Sequence, residues 1–309
     1  MYRFLLRRVA QAIPTLLAVI VIVFLLFNLV PGTVIGGGDA DQVLDPQVAE
    51  RIRAELMLDR PLHERFYHYM ANLVRGDLGN SFRTREPVLS MLGARLGPSL
   101  ALVVTGMAIA IFIGVPLGFA AALRQGSWID TVVMTVAVAG QSVPQFWFGL
   151  LLMFVFGLQL AWLPTFGYGD GGIQYLLLPA FTLGIAYMAL LARTTRAAVI
   201  EVMASDFIRT ARAKGLSEFQ IVRRHLLRNT LVLILTTAGL QFGTMMGQAV
   251  IVEKLFAWPG LGTLLVDSVF LRDIPLIQGC ILVFVSFFLI INTTTDLLYS
   301  AIDPRIRHS

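Results

Sequence analysis

The sequence predicts an all-α, polytopic membrane protein with six transmembrane helices, and three observations carry that reading. The 309 residues are 57% hydrophobic and only 14% charged, whereas soluble globular chains carry about 25% charged residues. The mean hydropathy is +0.76. Apolar runs at 9–30, 100–123, 131–158, 176–191, 230–252 and 276–299 reach or approach the roughly 20 residues that a helix needs to cross the hydrocarbon core. No internal repeat or low-complexity tract divides the chain, so 1–309 reads as a single transmembrane domain.

The first run follows Arg3, Arg7 and Arg8, as the apolar part of a signal peptide does. It is too long for one and lacks a small-residue cleavage site, so it reads as a true span. The loop from 31 to 97 has structure of its own. Asp45 before Pro46 is a helix start, a capping side chain followed by proline at the first helical position. Val48, Ile52 and Leu56 follow at helical spacing, and Asp59-Arg60-Pro61 ends the pattern. A second apolar stripe, Phe66, Met70 and Leu73 or Val74, stops at Gly76. These two short amphipathic helices suit either a solvated cap over the membrane domain or a docking surface for a partner.

The third run holds Pro144 between polar residues, which predicts a kink. The fourth is the shortest. Polar side chains at membrane depth are costly and face a bundle interior or a cavity. Gln141, Ser142, Pro144, Gln145, Gln241 and Gln248 are therefore the candidates for a translocation pathway. Asn28 and Asn292 fit hydrogen bonding between helices better, and Asp296 lies near the inner end of the last span.

Charge sets the orientation. With the N-terminus on the cytoplasmic side, fourteen of the 24 Lys and Arg residues fall inside, eight of them between Arg193 and Arg228. Eight of the other ten lie in the long loop, and loops beyond about 60 residues translocate largely regardless of charge. Both termini are expected to be cytoplasmic. The pI near 9.7 then marks the cytoplasmic face of a membrane protein rather than a nucleic-acid partner.

Chemistry of its own is not evident. Cys280 is the sole cysteine and reads as a small buried hydrophobe. His63, His68, His225 and His308 are scattered, so no metal site is assigned. There is no phosphate-binding G-x-x-x-x-G-K-[ST] loop, and no nucleophile and base pair at membrane depth. A membrane enzyme is thereby disfavoured. A stand-alone secondary transporter or channel would need ion-coupling carboxylates within its spans, and Asp296 is a poor one.

The segment 193–229 between the fourth and fifth runs is the most informative. Val199, Met203, Phe207 and Ala211 recur every four positions on one helix face. Gly215 suits the left-handed residue that closes a helix. Ser217 with Gln220 reads as a capping box opening a second helix, whose Phe219, Val222 and Leu226 share one side. Three readings fit this helix, turn and helix: a DNA-binding motif, which flanking spans disfavour; a basic loop touching anionic headgroups; and a docking element for a soluble partner.

RTARAKGLSE at 209–218, with RH-x-LRN at 224–229, is similar to the coupling loop of the permeases of dipeptide, oligopeptide and nickel importers of the ATP-binding-cassette (ABC) class. The general pattern of such loops, Glu-Ala-Ala, three residues, Gly and a later Ile-x-Leu-Pro, is met only at Ala211, Gly215 and Leu227. MYRFLLRR at 1–8, GDLGNSF at 76–82, PQFWFG at 144–149, LFAWPGLG at 255–262, RDIPLIQG at 272–279 and DLLYSAIDPRIR at 296–307 resemble the B-type permease of this subfamily along the whole chain.

The resemblance implies a type I ABC importer permease fold and a non-enzymatic subunit in a bacterial inner membrane. It would form half of a pathway for short peptides, or alternatively for nickel or glutathione. The implied partners are a second homologous permease, two cytoplasmic ATPase chains that bind ATP and magnesium, an external solute-binding protein and membrane lipid. Coupling would fall to Arg209, Ala211, Gly215, Leu216, Ser217, Glu218, Phe219, Val222, His225 and Leu227. An outer gate or docking surface would fall to Glu253, Phe256, Trp258, Pro259 and Gly260.

Overall fold

The structure, a computed structural model, describes residues 2–29 and 59–302. The helix expected from Asp45 and Pro46, with Val48, Ile52 and Leu56, lies outside the described residues. Among the described residues, five helices are long and apolar enough to cross a membrane, and a sharply bent pair makes a sixth crossing if its two arms form one span.

The first helix, α1, spans Tyr2–Leu29. The short α2, Leu62–Val74, lies against its far end, and Gly76, with φ +77°, follows it. Phe66 and Tyr69 of α2 pack on Phe24 of α1 with ring centroids 5.1 and 5.6 Å apart. Leu73 is half-buried, whereas Val74 is exposed.

The second crossing is longer than its apolar run. The helix α3, Val88–Ile109, passes through a π-helical turn, Ala110–Gly114, into α4, Val115–Leu123. Residues 88–97 fall in the expected outer loop, where Ser90 and Arg95 interrupt the hydropathy. They are helical because hydropathy measures the thickness of the apolar layer, while the backbone hydrogen-bond ladder can continue beyond it.

The third crossing is broken rather than kinked. The arms α5, Trp128–Ser142, and α6, Gln145–Leu152 with its π-helical extension Met153–Gln159, meet at 107°. Pro144 forces the preceding Val143 out of the helical region, to φ −78° and ψ 128°. Pro144 itself is extended, at ψ 129°. Two successive non-helical residues redirect the chain where one would bend it.

The fourth crossing, read as the shortest, is the 31-residue α7, Ile173–Met203. It runs through the centre of the bundle, against α3, α4, α5, α6 and the later α10. Its polar Gln174, Thr194 and Arg196 lie toward the ends and shortened the apolar run. Gly114 and Gly118 let α4 approach it so closely that a Cβ on either would fall on the carbonyl oxygen of Met188 or Ala192. Replacing Gly114 by Val is expected to wedge α4 from α7 at a cost of about 3 kcal/mol, read as a lower melting temperature of the detergent-purified chain. Gly140→Ala, whose added methyl would sit an ordinary 3.6 Å from Ile185, should leave that temperature unchanged.

Beyond α7 come the short α8, Asp206–Ala213, and α9, Glu218–Ile221. A π-helical turn, Val222–Leu226, joins α9 to α10, Leu227–Leu255. The helical backbone of the fifth crossing therefore starts twelve residues before the apolar run. The chain closes with α11, Leu261–Leu271, and α12, Ile274–Ile302. The largest buried cluster joins α3, α7, α10 and α12 around Leu102, Leu183, Met245 and Cys280.

Candidate functional site

The segment between α7 and α10 forms a compact element at one end of the bundle. At Ala204 and Ser205 the chain leaves the helix, with Ser205 extended at φ −73° and ψ 150°. This break corrects the predicted four-residue stripe, which assumed an unbroken helix through Phe207. Ile208 is fully buried and Phe207 is 45% exposed, because the extended Ser205 rotates everything downstream.

The turn itself follows the sequence. Gly215 takes φ +80°, and its N–H donates to the Arg212 carbonyl at 2.9 Å. The Leu216 N–H reaches the Ala211 carbonyl at 3.2 Å, so the last carbonyls of α8 are satisfied. Ser217 and Gln220 form the full capping box: Ser217 Oγ accepts from the Gln220 N–H at 3.4 Å, and Gln220 Oε1 accepts from the Ser217 N–H at 3.1 Å. Arg212 makes a two-pronged hydrogen bond to Glu218 across the turn, at 2.8 and 3.3 Å.

The element divides its apolar residues between two surfaces. Ile208, Ala211, Ile221 and Leu226 are buried against Val199 of α7 and Ala122 of α4, with Leu216 and Val222 packed around them. Phe219 instead points outward and is 72% exposed. The three residues expected to share one side thus separate, Leu226 and Val222 inward and Phe219 outward. His225 lies 6.3 Å from the Phe207 ring, Leu227 is partly exposed at the start of α10, and Arg209 is exposed beside Asp206.

Two polar links brace the same end of the bundle. Asp130 of α5 accepts both prongs of Arg196 from α7, at 2.6 and 2.7 Å, and the Gly126 N–H at 3.0 Å. Arg193 donates to Gln141 at 2.5 Å. Neither pair was singled out from the sequence, since arginine positions in a basic stretch do not reveal which carboxylate or amide lies opposite.

The other polar candidates separate by geometry. Ser142 donates to its own helix, at the Val138 carbonyl. Gln145 donates to the Thr182 and Leu183 carbonyls of α7 at 3.2 and 3.3 Å, which ties α6 to the central helix. Gln241 accepts from Thr244, and Gln248 is exposed on α10 in a line with Thr244, Gly247 and Ile251. Asn28 accepts a hydrogen bond from Arg65, joining α1 to α2. Asn292 is packed near Gly243 with its Oδ1 buried and unpartnered, in place of the expected interhelical bond. The Asp296 side chain lies outside the described residues.

At the opposite end, 253–262 turns inward. Glu253 is 1% exposed and accepts from Ser99 Oγ at 2.5 Å and from the N–H groups of Gly262 and Thr263 at 2.7 and 3.2 Å. Ser99 in turn accepts the Leu261 N–H at 2.8 Å. Trp258 is equally buried, donates Nε1–H to the Pro98 carbonyl at 3.0 Å, and meets Tyr168 edge-on at 4.8 Å. Phe256 and Gly260 are also buried, and Pro259 is half-buried. The expected aromatic surface is thus an interior knot that ties the start of α11 to α3 and α10. Beside it, the 2%-exposed Asp273 accepts from Ser81 Oγ and from the Phe82 N–H. The separate stretches 76–82 and 272–279 are therefore one structure.

Comparisons with known proteins give this arrangement a family. The chain matches the family model described as binding-protein-dependent transport system inner membrane component over residues 114–308. The corresponding N-terminal family model matches residues 1–103. The chain is 45% identical over 311 aligned positions to the glutathione transport system permease protein GsiC of Escherichia coli (strain K12) and to that of Salmonella typhi, with 100% of both chains covered. Among solved structures, it resembles a chain of the inward-facing MetNI methionine ABC transporter with a TM-score of 0.60, at 19% identity. That likeness covers 71% of this chain and 99% of the other. The chain belongs to the binding-protein-dependent transport inner membrane components and is a permease subunit of an ABC importer.

Proposed function

We propose that this permease carries short peptides, a class that includes the tripeptide glutathione, and that ATP is hydrolysed by separate partner chains seated on the Phe219 surface. The observation that supports coupling there is the division of apolar residues: Ile208, Ile221 and Leu226 fix the element to α4 and α7, while Phe219 stays outside. A force applied at Phe219 passes through packed side chains into two crossings. The relatives named as glutathione permeases, 45% identical along the full length, support the cargo class.

In this reading the basic end of the bundle, with Arg212, Arg223 and Arg224, faces the cytoplasm, as do both termini. A second homologous permease covers the face of α10 that carries Thr244, Gly247 and Gln248, and the solute-binding protein approaches from the opposite end. Gln141, Ser142, Gln241 and Gln248 line the pathway near that shared face. The buried knot around Glu253 and Trp258 holds the outer gate in shape. The cargo is tested by uptake of labelled dipeptide, glutathione and nickel in cells lacking the gene and in cells with it restored. Loss and recovery of dipeptide or glutathione uptake is expected, and a response confined to nickel would overturn the peptide assignment.

Phe219→Asp tests the docking surface. Its side chain touches little in this chain, so stability should change by no more than the ~0.5 kcal/mol typical of surface changes. Transport should fall at least ~10-fold, the size of a lost hot-spot contact. Normal uptake by a well-expressed Phe219→Asp chain would refute the assignment.

A further inference from the structure

The hydrogen bond from Arg193 to Gln141 carries a positive charge into the bundle. A Cβ on Gly140, beside Gln141 on α5, would meet Ile185 and Ala189 of α7. Those residues precede Arg193 by about 6–12 Å of helix. The Arg193 side chain therefore runs from its own backbone towards the middle of the bundle, where its Nη1 donates to the Gln141 carbonyl oxygen at 2.5 Å. Val132, Val136 and Val138 are exposed on α5 between Asp130 and Gln141. Bare apolar side chains mark the hydrocarbon layer, so the guanidinium lies within it.

A charge at that depth is costly, and such residues pair with one another or face a cavity. Asp130 is taken by Arg196 with both oxygens, and among the described residues no carboxylate pairs with Arg193. Arg193 is exposed, as are Gln141 and the neighbouring Ala197 on α7. The bond between them occupies Nη1 of the arginine and the carbonyl oxygen of the glutamine. What remains are donors, the Nε and Nη2 edge of the guanidinium and the Gln141 amide N–H groups. Arg196 grips Asp130 by the same edge, whose two parallel N–H bonds match the oxygens of a carboxylate. An arginine serving lipid headgroups would extend to the cytoplasmic surface, whereas this one extends away from it.

We propose that Arg193, steadied by Gln141, binds the C-terminal carboxylate of a short peptide on its way through the membrane. The inference rests on the peptide reading above and on the place of Gln141 along the pathway. Gln141 is then a positioning residue that aims the guanidinium and adds an amide donor of its own. A cargo without a carboxylate gains nothing from the pair.

NMR titration of the detergent-purified full chain with alanylalanine, isotope-labelled at its carboxylate carbon, tests the pair. The correspondingly labelled amide and dihexanoyl phosphatidylglycerol serve as comparison ligands. Saturable broadening of the carboxylate signal is expected. The amide, which lacks the charge, should bind about tenfold more weakly, the factor that corresponds to about 1.4 kcal/mol. Arg193→Gln should weaken the dipeptide by about tenfold or more. Its melting temperature should not fall, since the side chain is exposed and makes one hydrogen bond. Arg193→Lys keeps the charge but loses the fork, and should fall between the two. In cells, Arg193→Gln should cut dipeptide uptake about tenfold at equal expression. Absence of saturable binding, equal binding of dipeptide and amide, or unchanged binding in Arg193→Gln would overturn the proposal. Tighter binding of the lipid would also overturn it and assign Arg193 to an anionic headgroup. Full dipeptide uptake by Arg193→Gln would overturn this site and leave the peptide cargo standing, whereas no uptake of dipeptide or glutathione by wild type would overturn both.

Discussion

Replacing Gly215 by Val is expected to abolish transport while the chain still inserts and folds its spans. The reason lies in the backbone. Gly215 has φ +80°, a region that costs an L-residue about 1–2 kcal/mol and a β-branched one more. No atom lies within 4 Å of the site a Cβ would occupy, so the effect is strain in the turn and not a clash. Relief of that strain must unwind the end of α8 or the capping box at Ser217, which moves Phe219 relative to Ile208 and Ile221. Most of the bundle is packed elsewhere, around Leu102, Leu183 and Met245, and should hold. Asparagine tolerates the left-handed region better than other side chains with a Cβ, so Gly215→Asn should retain most activity. Uptake by cells expressing equal amounts of each variant decides the matter: full uptake with Gly215→Val would show that the turn does not need its conformation.

The second large effect is expected at Glu253. Substitution by Ala removes the acceptor for Ser99 Oγ and for the N–H groups of Gly262 and Thr263. Each buried donor left without an acceptor costs about 1–3 kcal/mol. Little room exists for repacking, since a Cβ on Gly262 would already lie 2.5 Å from Val250 Cα and 2.9 Å from Glu253 Oε2. The junction of α10, α11 and α3 should loosen, with a marked drop in melting temperature and loss of uptake. Glu253→Gln keeps a carbonyl acceptor and the side-chain shape, and should lose about 1–2 kcal/mol. Equal melting temperatures for wild type and Glu253→Ala would remove the knot from any structural role.

Much of this molecule was legible before its structure. Composition and the lengths of the apolar runs imply a helical membrane protein, since the bilayer demands that backbone groups be satisfied within each crossing. The cap and turn at Ser217 and Gly215 were legible because such signals are local: a serine three residues before a glutamine and a glycine after a helix act through their own backbone. The amphipathic helix at 62–74 was legible for the same reason.

What escaped the sequence was everything set by a distant partner. Helix ends moved because polar residues that hydropathy counts as boundaries are satisfied within the fold, Ser99 by Glu253 and Leu261 and Thr194 by the Leu190 carbonyl of its own helix. The break at Pro144 was legible as a proline, but its 107° angle depends on where α6 can pack, with Gln145 on α7 and Gly149 on the end of α10. The outward turn of Phe219, and the inward turn of Trp258 and Glu253, follow from which surface each meets. Sequence alone determined the solvent this chain lives in and the local motifs that cap and turn it. Only the tertiary structure decided which side chains are buried, because burial is a property of the facing helix, and the facing helix is remote in sequence.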